Sequence, residues 1–270
     1  MNCLENSERF FINGQWVSPS AQDQTDIINP ATEAPCGCIA LANVQDVNRA
    51  VEAAYAAFEA WSTTTRAERL QILGRIPSLY QRRAEEMSRA ISLEMGAPIT
   101  LARESQAPAG LAHIEETLDA LRHYQFEDYE DDILITHEPI GVAGLITPWN
   151  WPMNQIACKV MPALAAGCTV VLKPSESAPL SAIIFTEILH EAGVPAGVYN
   201  MVQGDGPVAG EALASHPLVN VVSFTGSTQA GIAVAQAAAP TVKRVFSYLV
   251  ATARHSLRRA QRFSTRCRHR

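Results

Sequence analysis

The sequence predicts an α/β protein: a doubly wound, mostly parallel sheet with amino-terminal helices and a β-ribbon arm. Three observations carry this expectation. The chain has 270 residues, 47% apolar and 18% charged, with mean hydropathy near zero, which suits a large core and excludes disorder, collagen and a disulfide scaffold. From about residue 140 onward, short apolar runs alternate with helical stretches in the order β-α-β-α-β-α-β. The runs themselves, such as Cys168-Thr-Val-Val-Leu172 and Val219-Asn-Val-Val-Ser-Phe224, are largely apolar, as expected when helices cover both faces of a parallel sheet.

Arg9-Phe-Phe-Ile-Asn-Gly-Gln-Trp-Val17 alternates around Asn13-Gly14, a dipeptide that tolerates positive φ, so a hairpin opens the chain. Val47, Ala50, Val51, Ala54, Phe58 and Trp61 recur at spacings of three and four and predict a helix over 44–61. Helices over 64–95, broken or bent near Pro77, and over 106–125 follow, the first stopping at Gly96-Ala-Pro98. The stretch from Ile133 reads as an extended ribbon leading into a short strand that ends at Ile146. Next come helix 151–166, strand 169–172, helix 180–192, strand 198–202, helix 208–214 and strand 219–224. The expected division is a hairpin and helical part over 1–125, the arm over 126–139, βα units over 140–245 and an aberrant Arg-rich tail over 246–270.

The tail is set apart by charge. The net charge is −6, yet residues 1–245 hold 14 basic against all 27 acidic residues, while residues 246–270 hold seven Arg and no acid. A basic end can serve as a nucleic-acid or membrane arm, but the acidic body would repel the same polyanion, so neither partner is expected. No run of about 18 apolar residues is present, and the polar start lacks the basic-then-apolar order of a signal peptide, so a cytoplasmic protein is expected. Cys3, Cys36, Cys38, Cys158, Cys168 and Cys267 are scattered, as free thiols in a reducing compartment would be; Cys36-x-Cys38 alone is too short for a metal site.

Ligands of open α/β sheets bind beyond the carboxyl ends of the strands, which directs attention to four loops. Phe224-Thr-Gly-Ser-Thr228 leaves a strand and opens a helix, so free N–H groups and the Ser227 and Thr228 hydroxyls can face a diphosphate, with Gly226 and Gly231 permitting close approach. Taken alone, it reads more readily as an ordinary capped turn. Gly204-Asp-Gly206-Pro-Val-Ala-Gly210 misses the dinucleotide fingerprint by one residue before its last glycine. Lys173 and Glu176 could hydrogen-bond a ribose diol or form a surface ion pair. In Thr147-Pro-Trp-Asn-Trp-Pro152, Pro148 and Pro152 stiffen a turn that presents Asn150.

Together these loops resemble the aldehyde dehydrogenase superfamily from Phe11 to about Val245, through Pro148-Trp-Asn-Trp-Pro152, Lys173-Pro-Ser-Glu176 and Phe224-Thr-Gly-Ser-Thr228. The resemblance implies a Rossmann-like fold, NAD as cofactor with NADP less favoured, and a small-molecule aldehyde as substrate. It implies coenzyme contacts at Ile146, Thr147, Pro148, Trp149, Lys173, Ser175, Glu176, Gly206, Phe224, Thr225, Gly226, Ser227, Thr228 and Gly231. It also implies an oxyanion-donating amide at Asn150 and a lesser proton-handling role for Lys159, which in itself reads as a partly buried cation completing its helix. A metal is not implied.

The family reaction needs a cysteine nucleophile and a glutamate base. The glutamate normally lies in a Leu-Glu-Leu-Gly-Gly segment just after the position of Val245, with the cysteine tens of residues later in a second domain. This chain reads Phe246-Ser-Tyr-Leu-Val-Ala-Thr-Ala-Arg-His-Ser-Leu257 instead, and Cys267 among arginines has no family context. Bases able to encode Leu249-Val-Ala251 spell Leu-Gly-Gly when shifted by one, consistent with a lost reading frame; a short isoform or a domain-boundary feature is the alternative. The expectation is therefore an amino-terminal portion, inactive as a free chain, or else an NAD-binding module or dominant-negative subunit. Family members usually associate through a ribbon like residues 126–138 and a carboxyl-terminal strand not found here, so normal oligomers are not expected.

Overall fold

A computed structural model describes residues 6–249, and its centre is a seven-stranded sheet. Strands β7 (Val142–Ile146), β8 (Thr169–Lys173), β9 (Tyr199–Met201), β10 (Val219–Gly226) and β11 (Arg244–Leu249) run parallel, and β1 (Phe10–Ile12) and β2 (Gln15–Val17) extend one side antiparallel. The spatial order is β11-β10-β7-β8-β9-β1-β2. The opening hairpin thus becomes the sheet's flank, turning at Asn13 and Gly14, both at positive φ as the two central residues of a tight hairpin require.

Strand periodicity divides the core between two faces. Ala143, Leu145, Val170, Leu172, Tyr199 and Met201 pack on one side, under α7 (Pro152–Ala165) and α8 (Leu180–Glu191). Val142, Ile146, Val171, Val222 and Phe224 pack on the other, under α1 (Val44–Ser62), α9 (Glu211–Ser215) and α10 (Thr228–Ala238). Every residue of β7 and β8 is buried, which is why these strands read as apolar runs.

The amino-terminal helices depart from expectation in their breaks. Residues 66–95 form α2 (Arg66–Leu73), α3 (Ile76–Arg82) and α4 (Ala84–Met95). The first break falls at Gly74 and Arg75, whereas Pro77 sits in the first turn of α3, where its missing N–H costs nothing. Gly96 ends α4 at a left-handed φ of 77°. A short α5 (Ile99–Leu101) and a π-turn (Ala102–Gln106) lead into α6 (Ala107–His123).

Two strand pairs stand apart from the main sheet. The arm is the hairpin β5 (Glu127–Glu130) and β6 (Ile133–Thr136). The other pair, β3 (Gln24–Asn29) with β4 (Ala34–Ala40), was not expected: a register shift between Ile27 and Ile28 breaks its alternation. Nor was β11, since its residues straddle the composition boundary at 245; it extends the sheet through Leu249, with Phe246, Tyr248 and Leu249 half exposed or more. Cys267 and the arginines of the tail lie outside the described residues.

Glu94, at the end of α4, is buried beneath the start of α8, where the N–H groups of Leu180 and Ser181 donate to its carboxylate. Burial pushes its pKa up to about 7, outweighing the lowering by these hydrogen bonds. A folded-state value above the unfolded one of 4.5 means that the contribution is fully present below pH 4.5 and is lost as pH rises through 7. Urea unfolding should therefore lose about 2 kcal/mol between pH 5.5 and 8.5 in the native chain relative to Glu94→Gln; parallel stability profiles of the two proteins would refute this.

Candidate functional site

Chain order and sheet order diverge at β7. The chain passes outward to β8 and β9, then returns to the opposite side of β7 as β10, so the loops leaving β7 and β10 open the crevice where ligands of such sheets sit. The strand ends are level: Phe224, Ile146 and Lys173 are register partners across β10, β7 and β8. The Thr147 N–H donates to the Lys173 carbonyl at 3.2 Å, carrying the alignment one residue into the loop.

Beyond β10 the backbone turns into α10 at Ser227, whose Oγ accepts the Ala230 N–H at 3.3 Å and caps the helix. The hydroxyl still has its proton to donate, and the N–H groups of Thr228 and Gln229, in the first turn, have no intrahelical acceptor. Thr228 is exposed and Ser227 half-buried. The glycines here serve packing first. A Cβ on Gly226 would lie 2.5 Å from Phe224 Cζ, and one on Gly231 would lie 2.7 Å from Leu249 Cδ2.

Lys173, at the end of β8, is buried, and the ion pair it makes with Glu176 has only the carboxylate at the surface. Its Nζ donates to the carbonyls of Pro174 at 2.8 Å and Gly204 at 2.7 Å, and lies 3.5 Å from Glu176 Oε2. It therefore ties the loop after β8 to the loop after β9. Burial lowers its pKa, with Glu176 opposing that shift. Ser175 closes the first loop by accepting the Ser177 N–H at 3.2 Å, and Asp205 caps the second by accepting the Val208 N–H at 2.8 Å. The latter loop runs into a π-turn (Gly206–Gly210) and the five-residue α9, rather than a single helix over 208–214. Gly206 is exposed, and a Cβ there would meet nothing within 4 Å, so neither packing nor φ demands the glycine.

The loop after β7 carries Trp149, exposed, and Asn150, half-buried. Trp151 holds a left-handed conformation at φ 54°, which turns the chain sharply into α7 behind Asn150; Pro152 is that helix's first residue. The Asn150 amide makes no hydrogen bond among the described residues, leaving its N–H groups to donate. At the ends of β7 and β10, the Thr147 and Thr225 hydroxyls are buried without a partner, an arrangement that costs free energy unless a ligand or water satisfies them.

Lys159, on α7, faces a different space. Its Nζ donates to Ser223 Oγ at 2.8 Å and lies 5.0 Å from the centroid of the Tyr248 ring. Burial lowers its pKa. Lys159, Ser223, Thr225 and Tyr248 line a cavity of about 930 Å³ between α7 and the β10–β11 margin, whose wall does not include Asn150 or Trp149. Sequence reasoning missed this cavity because β11 forms one wall. Cys158 and Cys168 also line it, yet burial raises the pKa of both thiols; Cys36 and Cys38 are raised as well, so none of the four described cysteines has the depressed pKa of an activated thiol. Among the described residues no His, Cys, Asp and Glu cluster could hold a metal ion, and no helix is long and apolar enough to cross a membrane.

Residues 16–253 match the model of the aldehyde dehydrogenase family. The chain is 52% identical over 243 residues to a 3-succinoylsemialdehyde-pyridine dehydrogenase of a Pseudomonas species, covering 90% of this chain and 51% of that one. A mutant aldehyde dehydrogenase C from Pseudomonas syringae, crystallised with NAD+ and octanal, superposes with a TM-score of 0.90 at 50% identity, over 92% of this chain and 51% of that one. An aldehyde dehydrogenase from Bartonella henselae gives 0.89 at 44% identity, over 91% and 52%. The chain thus spans about half the length of each.

The two clamps of the site should differ in strength. Lys173→Met strands two carbonyls and should cost about 3 kcal/mol in urea unfolding, while Ser227→Ala should cost about 1 kcal/mol, that of a lost cap. Equal costs would mean that the lysine does not hold the two loops together.

Proposed function

The chain belongs to the aldehyde dehydrogenase family, and on that premise we propose that it is the dinucleotide-binding portion of an NAD-dependent oxidoreductase that converts aldehydes to carboxylic acids. The observation that carries the proposal is the open amino terminus of α10 at the switch point between β7 and β10. A diphosphate there would accept from the first-turn N–H groups and from Ser227 and Thr228. Gly206 leaves room beside the neighbouring loop, and the orphaned Thr147 and Thr225 hydroxyls lie at the level where the rest of the coenzyme would run. These features fit a dinucleotide.

In this reading Glu176 accepts from a ribose hydroxyl, and Lys173 acts mainly by fixing the loop that presents Glu176. The carboxylate repels a 2′-phosphate, which favours NAD over NADP. Ile146, Pro148 and Trp149 pack on the nicotinamide side, and Ser175 and Phe224 shape the loops on either flank. A bound nicotinamide would supply hydride acceptance. Asn150 would donate its amide N–H to the oxygen that gains charge when a thiolate adds to the aldehyde, a contribution of about 3–4 kcal/mol to the barrier.

The thiolate and the base of the family reaction are not found among the described residues. Every described thiol has a raised pKa, and the segment from Phe246 carries Tyr248 and Leu249 where the family sequence would read Leu-Glu-Leu-Gly-Gly. We take the coincident changes of charge and motif near residue 245 to mark a lost reading frame. In this reading the described residues bind coenzyme and contribute the oxyanion donor, and supply no activated thiol.

Isothermal titration should show NAD binding, weaker NADP binding, and loss of affinity in Lys173→Met and Ser227→Ala. A folded chain that binds neither dinucleotide would overturn the proposal. Mixing the chain with NAD and octanal should produce no NADH; production abolished by Cys267→Ala would instead identify a working nucleophile in the tail.

A further inference from the structure

Arginines in the helical part have acceptors, with one exception. Arg82, Arg83, Arg89 and Arg103 each meet a glutamate, and Arg66 and Arg75 donate to backbone carbonyls. Arg69, on α2, meets neither among the described residues. It is 5% exposed, its Nε and Nη1 are buried without a hydrogen bond, and its guanidinium stacks on the Phe126 ring with Cζ 4.9 Å from the centroid. A buried cation without an acceptor is costly, so this guanidinium is matched to an anion that the chain as synthesised does not place beside it.

Cys168 is where such an anion can arise. Gly167 precedes it at φ 89°, and a Cβ there would lie 2.5 Å from Arg69 Nη1, so the guanidinium packs on the backbone that carries the thiol. The N–H groups of Ile140 and Gly141 and the Arg69 charge all favour a negative sulfur, although burial holds the thiol above its ordinary pKa. Cys168 also lines the cavity of about 930 Å³ under β11, together with Cys158, which gives a small polar oxidant a route to the sulfur. The site is thus poor for a fast nucleophile and well supplied with donors for an oxygenated anion.

We propose that Cys168 is an oxidation site, converted by peroxides to a sulfinate whose oxygens accept from Arg69 and from the N–H groups of Ile140 and Gly141. A sulfur lone pair attacks one peroxide oxygen; the S–O bond forms as the O–O bond breaks, and the departing hydroxide takes the thiol proton and leaves as water. A second peroxide is attacked in the same way by the sulfenic acid, and the resulting sulfinic acid loses its proton. Sulfur gives up four electrons, and the two peroxides take two each. Neither dinucleotide nor aldehyde takes part, so the proposal fails separately from the coenzyme reading.

The test exposes the full chain to hydrogen peroxide and follows Cys168 and Cys158 by peptide mass spectrometry. Cys158 shares the cavity and serves as the internal control, since its cationic neighbour Lys159 already donates to Ser223. Addition of two oxygens should run about tenfold faster at Cys168 than at Cys158, the factor that one charge-assisted hydrogen bond supplies. Arg69→Met should abolish that preference. Peroxide should also lower the urea midpoint of Arg69→Met while leaving that of the native chain in place, each measured against the same background carrying Cys168→Ser. Equal oxygenation of the two cysteines in the native chain, a Cys158–Cys168 disulfide in place of the sulfinate, or a preference unchanged by Arg69→Met overturns the proposal. Should the variant not fold, the ratio in the native chain decides alone.

Discussion

The constraint on which the structure depends is the position of β7. Because the chain leaves this strand toward β8 on one side and returns beside it as β10 on the other, two loops must part above it. The groups proposed for the coenzyme lie at that edge of the sheet, Thr147 beyond β7, Glu176 beyond β8, Gly206 beyond β9 and Ser227 beyond β10, with the proposed oxyanion donor Asn150 near Thr147. The level register of Phe224, Ile146 and Lys173 brings these groups to one edge of the sheet, and the Lys173 contact with the Gly204 carbonyl adds the loop after β9. Helices buried against opposite faces then hold the loops apart.

Two lysines show how one side chain takes different roles under similar burial. Lys173 spends two of its donors on carbonyls of separate loops, so its charge is offset by structure and its contribution is architectural. Lys159 has a hydroxyl and an aromatic ring as neighbours, which leaves the amine facing open space. The difference comes from β11, which roofs one lysine and never approaches the other. Its Phe246, Tyr248 and Leu249 remain half exposed or more, an apolar surface at a sheet margin of the kind that promotes association.

Much of this was legible in the sequence, where local rules govern. Asn13-Gly14 specified a hairpin, Gly96 a helix end, and spacings of three and four gave α1 nearly to the residue. The alternation of apolar runs gave the parallel sheet, and with it the four loops on one edge. What escaped were features set by tertiary context. The β3–β4 pair hides its alternation behind a register shift, and β11 straddles the composition boundary at 245, so its largely apolar residues were divided between body and tail. The break expected near Pro77 falls just before it, at Gly74 and Arg75, and Pro77 itself sits in the first turn of α3. The burial of Lys173 depends on the Gly204 carbonyl, 31 residues away, and no spacing rule reports such a contact. Among the site residues, Gly226 and Gly231 invited a ligand-centred explanation, while the ring of Phe224 and the side chain of Leu249 are what crowd them.

The central claim is that the open first turn of α10 cradles a coenzyme diphosphate. A crystal structure of the chain soaked with NAD tests it most directly. The account predicts diphosphate oxygens within hydrogen-bond distance of the Ser227 hydroxyl and the Thr228 or Gln229 N–H. A dinucleotide bound at another edge of the sheet, or none bound while residues 219–238 stay ordered, would contradict it.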